Sequence, residues 1–224
     1  MVHPLSAVGE LVSFINEAQC DYAVTLDQFY GKFLEIMKQH PLRKLIVASI
    51  SEELPAVKSI FYRLTTERKF PKVDKGGCAM TWKEFLRGAD NVKEAYKAEK
   101  SPDTEAVVLF SGGTTGTTKG IMLSDYAFNA MALQTEAMCN QTVHHRKMLA
   151  AMPVFHGFGL GVCIHTMMFT GGTSILVPRF NVKSYADLIR KHRPNFIAGV
   201  PTLFEAIARN TYLDGVDLSC LRGV

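Results

Sequence analysis

The sequence predicts an α/β fold with parallel or mixed sheets flanked by helices. Three observations predict it. Strand-like and helix-like signals alternate along most of the chain, the connections between them are short, and one apolar run, 105–110, leads directly into a stretch of glycine, threonine and serine. Short strand–helix–strand connections require parallel pairing and right-handed crossovers. With 47% apolar and 21% charged residues, the 224-residue chain has enough apolar side chains for a real core.

Each element follows from local pattern. Pro4 and Ser6 mark the start of a helix on which Leu11, Phe14, Ile15 and Ala18 share one face. Residues 21–25 read as a short strand. Asp27 is placed to cap a helix running to Met37, with Phe29, Phe33 and Ile36 inward. Residues 42–48 give the next strand. From Thr65 to Pro102 the pattern weakens: 72–77 reads as a loop, 80–86 as a short helix, and 91–102 as charged and exposed. That stretch is the expected connector, about 65–102, between an N-terminal portion, 1–100, and a second portion, 103–224.

In the second portion, 106–110 is a strand and 121–123 is extended. Ser124 is placed to cap a helix carrying Tyr126, Ala130, Leu133 and Ala137. Residues 147–152 form a strand, 158–169 a largely buried helix, and 173–177 another strand. An amphipathic helix, 182–191, places Tyr185, Leu188 and Ile189 together. A last strand, 195–198, precedes Pro201, which suits the first turn of a helix.

Composition excludes several classes. The formal charge of +4 comes from dispersed residues, which argues against a nucleic-acid partner. Five widely spaced cysteines without a Cys-x-x-Cys pair point to reduced thiols and a cytoplasmic protein. Residues 148–178 contain no Asp, Glu, Lys or Arg, but Pro153, His156, His165, Gly171 and Gly172 interrupt them, so no transmembrane segment is expected. No histidine stands at metal-ligand spacing from a cysteine or carboxylate, so no protein metal site is expected.

The stretch most informative about chemistry is Ser111-Gly112-Gly113-Thr114-Thr115-Gly116-Thr117-Thr118-Lys119-Gly120. Glycines let backbone N–H groups approach a ligand, hydroxyls add adaptable donors, and a lysine supplies a compact charge. Together they suit a polyphosphate cradle, although the same composition also suits a bare hairpin turn. The order Lys119-Gly120 is not that of a Walker loop, whose lysine is followed by Ser or Thr. A kinase-like α/β protein with a degenerate loop would also need a Walker B-type Asp at the end of an apolar strand, and neither Asp21 nor Asp103 fits.

This run resembles the phosphate-binding signature of the adenylate-forming superfamily, which includes acyl-CoA synthetases, luciferases and peptide-synthetase adenylation domains. The family pattern ends in Thr-Gly-x-Pro-Lys-Gly, and here Thr118 stands where the proline would be. Residues 152–159, Met-Pro-Val-Phe-His-Gly-Phe-Gly, resemble the family's Pro-x-Phe-His-x-x-Gly motif. Residues 199–204, Gly-Val-Pro-Thr-Leu-Phe, resemble its acyl-pocket segment. The whole chain is most similar to a long-chain fatty acid–CoA ligase, as an internal piece of the large N-terminal domain.

The resemblance implies ATP, Mg²⁺, coenzyme A and a carboxylic acid, most simply a fatty acid, as small-molecule partners. Residues 111–120 would hold the phosphates. Phe155, His156, Gly157, Gly199, Val200 and Pro201 would line the acid's path, and His156 would be the catalytic candidate. A packed, hydrogen-bonded histidine remains the alternative for His156, and plain core packing the alternative to an acyl tunnel lined by Met148, Met152, Met167, Met168, Phe155, Phe158 and Phe169. An acyl substrate leaves peripheral membrane contact open. The family's ribose-binding Asp, its Tyr-Gly-x-Thr-Glu motif and the lysine of its C-terminal lid find no counterpart in these residues. The chain alone is therefore expected to be inactive, with a nucleotide- or acyl-binding module as the alternative function.

Overall fold

The computed structural model describes residues 1–74, 77–89, 92, 98–112, 118–140 and 144–224, and the chain divides into two units. One comprises Val2–Glu99 with Gly112–Gly120, the other Met1, Lys100–Ser111 and Ile121–Val224.

The first unit contains α1 (Val8–Glu17), β1 (Tyr22–Leu26), α2 (Tyr30–Gln39), β2 (Lys44–Ala48), α3 (Ala56–Thr65), β3 (Ala79–Thr81) and α4 (Trp82–Ala89). The strands form a parallel sheet in the order β1-β2-β3, with Tyr22 opposite Lys44 and Leu45 opposite Ala79. In central β2, Leu45, Ile46 and Val47 are all buried, as expected of a strand covered on both faces. The predicted faces of the first two helices hold: Leu11, Phe14 and Ile15 are buried, as are Phe33 and Ile36, with Tyr30 beside them.

Local sequence misassigns several details here. Asp27 does not cap α2. It opens a 3-10 turn, Asp27–Phe29, and its carboxylate accepts from the Ser49 hydroxyl at 2.6 Å and the Gln28 N–H at 2.7 Å. Parallel pairing sets the ends of β1 and β2 side by side, and Ser49 takes the carboxylate. Ala7, not Ser6, precedes α1, and the Lys32 ammonium donates to the carbonyls of Pro4 and Ser6. Met80 and Thr81, expected in a helix, pair with β2 instead. The helix begins at Trp82, behind a capping box in which the Thr81 N–H donates to Glu84 and the Glu84 N–H to Thr81 Oγ1.

The second unit opens with β4 (Glu105–Gly112) and β5 (Thr118–Ser124), which pair with each other. The end of β4 and the start of β5, Gly112 and Thr118–Gly120, fall in the first unit. There follow α5 (Asp125–Met138), β6 (Lys147–Ala150), a π-helical segment Gly159–His165 running into α6 (Thr166–Phe169), β7 (Thr173–Leu176), α7 (Val182–His192), β8 (Phe196–Ala198) and α8 (Pro201–Ala208). The sheet order is β7-β6-β8, all parallel. The chain steps from β6 to β7 on one side, then crosses back to β8 on the other. Right-handed crossovers in opposite directions put their helices on opposite faces.

Side-chain alternation matches this arrangement. Met148, Ala150, Phe196 and Ala198 pack with Cys163 and Met167 of the π/α6 helix. Leu149 and Ile197 pack with Tyr185 and Ile189 of α7 and Leu203 of α8. The predicted face of α5 does not hold: Tyr126 and Leu133 are exposed, and Ala132 is the buried residue. Close approach of the π segment sets that phase, since a Cβ on Gly161 would meet Met131 Cε at 2.8 Å. The 158–169 helix is less buried than expected, with Phe158, Met168 and Phe169 exposed. His144 pairs with Glu136, and His145 Nδ1 lies 3.2 Å from the Gly171 carbonyl.

Candidate functional site

In the second unit, the two motif segments leave the same edge of one sheet. Ala150 ends β6 and Ala198 ends β8, and the two are register partners. The segment carrying Phe155, His156 and Gly157 therefore starts beside the one carrying Gly199, Val200 and Pro201. Because the chain leaves β6 toward β7 and reaches β8 from the far side, this is the point where strand order reverses. In open α/β sheets the crevice at the carboxyl ends of such strands is the usual ligand position.

The His156 turn is built by close packing. A Cβ on Gly159 would lie 2.1 Å from the Pro153 carbonyl oxygen, so only glycine fits there. The His156 N–H donates to the same Pro153 carbonyl at 3.1 Å, and the Leu160 N–H donates to the His156 carbonyl at 2.9 Å. His156 thus stands at the start of the helix. Its ring Nδ1 accepts the Phe158 N–H at 3.3 Å, satisfying one of the first-turn donors that a helix leaves unpaired. An accepting Nδ1 places the ring proton of the neutral imidazole on Nε2. The side chain is exposed and not part of the packed core. Phe155 is half-buried. Gly157 is exposed, and a Cβ on it would meet Leu109 Cδ1 at 3.3 Å, so this turn lies against β4, two residues before Ser111.

Around Gly199 the packing is nearly as tight, with Leu203 and Phe204 atoms 3.1 Å from where its Cβ would be. Val200 precedes α8 and Pro201 occupies its first turn, both exposed at the sheet edge.

Of the predicted phosphate-binding run, Gly113, Thr114, Thr115, Gly116 and Thr117 lie outside the described residues. Ser111 and Gly112 end β4, with Ser111 exposed. Thr118, Lys119 and Gly120 begin β5, with the Lys119 side chain exposed. Within the first unit, Glu17 at the end of α1 accepts the Gly120 N–H at 2.9 Å. Nothing in the sequence flags Glu17, because the contact spans 103 positions and only folding brings the two together.

The methionines divide. Met148 and Met167 are buried in the sheet core with Cys163, and Met152 packs against them, while Met168 is exposed. Core packing accounts for the buried ones. Burial pushes the Cys163 thiol up to about 11, which makes it a poor nucleophile. His165 is held by Asn129 Oδ1 at 3.0 Å and stacks on Phe128, with centroids 4.2 Å apart. Among the described residues no group of three or more His, Cys, Asp or Glu could hold a metal ion, and no helix is long and apolar enough to cross a membrane.

The profile of the AMP-binding enzyme family matches residues 1–224. The chain is similar to the long-chain-fatty-acid–CoA ligase of Bacillus subtilis, with 26% identity over 227 residues, covering 98% of this chain and 40% of that protein. A 4-coumarate–CoA ligase of Vanilla planifolia is 31% identical over 142 residues, covering 62% of this chain and 26% of that protein. The chain spans 40% of the length of the Bacillus relative and less of the Vanilla one. ATP-bound MatB from Rhodopseudomonas palustris superposes with a TM-score of 0.72 at 20% identity, covering 99% of this chain and 38% of that one. A red-emitting luciferase from Phrixothrix hirtus gives a TM-score of 0.75 at 19% identity, covering 99% and 39%. At these identities the two structures share the fold.

Proposed function

The chain belongs to the AMP-binding enzyme family, and from that premise we propose that it carries part of the active site of a ligase that joins a fatty acid to coenzyme A through an acyl-adenylate. In the first step a carboxylate oxygen attacks the α-phosphorus of ATP, the bond from that phosphorus to the bridging oxygen breaks, and pyrophosphate leaves. In the second, the coenzyme A sulfur attacks the acyl carbonyl, AMP leaves with the bonding pair, and the thiol proton passes to solvent.

Residues 111–120 hold the β- and γ-phosphates in this reading, with Lys119 supplying positive charge against the leaving group. Mg²⁺ arrives on the nucleotide in the same reading. His156, with Nδ1 committed to the Phe158 N–H, offers Nε2–H as a donor to the acid's carboxylate. Phe155, Gly157, Gly199, Val200 and Pro201 line the path of that acid.

The observation that carries the proposal is the convergence of the His156 turn and the Gly199–Pro201 turn at the switch point between β6 and β8. The fatty acid class draws on the Bacillus relative, whose similarity covers nearly the whole chain. Five widely spaced cysteines without a Cys-x-x-Cys pair suit a reducing, cytoplasmic setting.

Carboxylate-dependent exchange of pyrophosphate into ATP, run on a full-length enzyme that contains these residues with a chain-length series of fatty acids and with 4-coumarate, tests the reading. Lys119→Ala should lower the rate by roughly 1.5–3 kcal/mol of lost stabilisation, about ten- to more than hundredfold. His156→Ala should raise the acid requirement more than the ATP requirement. Exchange unchanged by Lys119→Ala would remove 111–120 from the mechanism. ATP binding without exchange would favour a binding module over a ligase.

A further inference from the structure

Helix α3 is amphipathic, but turned inside out. Val57, Ile60, Phe61 and Leu64 recur at i, i+3, i+4 and i+7, one stripe of the helix, and they are 82%, 59%, 69% and 64% exposed. The opposite face is the one that packs: Ser59 is buried and its hydroxyl donates to the Ser51 carbonyl at 2.6 Å. A surface helix ordinarily buries its apolar stripe, and a contiguous exposed patch of this kind marks an interaction surface.

The surroundings of the stripe are basic. On the helical wheel Lys58 and Arg63 flank it on either side. Lys58, Arg68, Lys69, Lys83 and Arg87 are all exposed. The described residues between 51 and 89 contain seven Lys or Arg against five Asp or Glu, a net +2. Glu52 and Glu53 lie by the start of α3, and Glu67 stands 3.8 Å from Arg63. On α4, Phe85 and Leu86 are also exposed. Glu52, Glu53, Arg63, Trp82, Lys83, Leu86 and Arg87 line a cleft of about 450 Å³, three cations against two carboxylates.

We infer that α3 is an interfacial helix, docking the first unit on an anionic phospholipid surface with its apolar stripe among the acyl chains and Lys58 and Arg63 at the headgroups. An apolar stripe flanked by cations is the pattern that binds such surfaces, through buried apolar area plus attraction to anionic lipid. Long basic side chains keep their charge at the interface while their stems stay apolar. A second copy of the chain is the weaker occupant, since a two-fold contact between stripes would bring the flanking cations of both copies together. The inference does not rest on the ligase reading, because lipid binding is scored without substrate.

The test is co-sedimentation of the protein with phosphatidylcholine vesicles and with phosphatidylcholine–phosphatidylglycerol vesicles of roughly two to one. Fluorescence of Trp82, the single tryptophan, gives a second readout beside α3. The protein should bind the anionic vesicles in a salt-sensitive way and the neutral ones at least about tenfold more weakly. Ile60→Glu with Phe61→Glu should abolish binding, and Val57→Ser with Leu64→Ser should weaken it. Met138→Ser, which changes an exposed methionine of the second unit, should change nothing. The stripe side chains are exposed, and circular dichroism would verify that each variant folds. Failure of the wild type to bind either vesicle, or equal binding by the double-glutamate variant, would overturn the inference. So would self-association lost in that variant without lipid binding by the wild type.

Discussion

At the scale of single residues, the tightest constraint is Gly159. Its Cα faces the Pro153 carbonyl so closely that an alanine methyl would sit 2.1 Å from the oxygen, and both partners are backbone. Gly159→Ala should therefore destabilise the protein by roughly 1–3 kcal/mol through forced backbone shifts, seen as a lower urea midpoint. The same substitution should displace the His156 turn, whose N–H bonds to that carbonyl.

His165 carries a pH dependence. Burial holds its pKa below the ordinary 6.5, so folding favours the neutral ring. The contribution to stability is complete above about pH 6.5 and is lost as pH falls through the depressed folded value. Thermal midpoints measured through this range should fall on acidification, and His165→Gln should flatten that part of the slope. An unchanged slope in the variant would assign the dependence to other groups.

At the scale of elements, helix starts repeat one device. Ser124 Oγ accepts the Ala127 N–H at 3.2 Å, and Asn181 Oδ1 accepts the Ser184 N–H at 3.1 Å. Each satisfies one unpaired first-turn donor, so Ser124→Ala and Asn181→Ala should each cost about 1 kcal/mol, and the glycine variants less. Chemical denaturation of the single and double variants checks both size and additivity. Ser124 was legible from sequence because the cap and its helix are adjacent in the chain. The Asp27 assignment failed on the same logic: the local rule names a cap, but Ser49 lies 22 positions away and reaches the carboxylate first. The π-helical turn 159–165 had no local signal either. Thr166, whose hydroxyl donates to the Gly161 carbonyl at 3.0 Å, spans it.

At the scale of the whole molecule, each unit is organised around a three-stranded parallel sheet. In the second, the central strand β6 feeds both faces: Met148 and Ala150 one way, Leu149 the other. Leu149 is fully buried and sits under α7 and α8. Leu149→Ala should cost about 2–5 kcal/mol, transfer and cavity terms together. Calorimetry would measure it, and a loss under about 1 kcal/mol would mean that the face collapses to refill the site.

The sequence by itself determined the α/β class and most strand and helix positions, because period and caps are short-range properties, while the three motif segments were marked by their resemblance to a family pattern. It also singled out His156. Only the tertiary structure decided that His156 is an exposed helix-start residue with Nδ1 engaged, and that its turn leaves the sheet beside Gly199–Pro201. Strand order decided that, and strand order depends on pairings between residues about 50 positions apart. The phase of α5, the strand at Met80 and Thr81, and the outward stripe of α3 escaped the sequence for the same reason. Which face of an element is covered depends on what the rest of the fold packs against it, and periodicity reports only that a face exists.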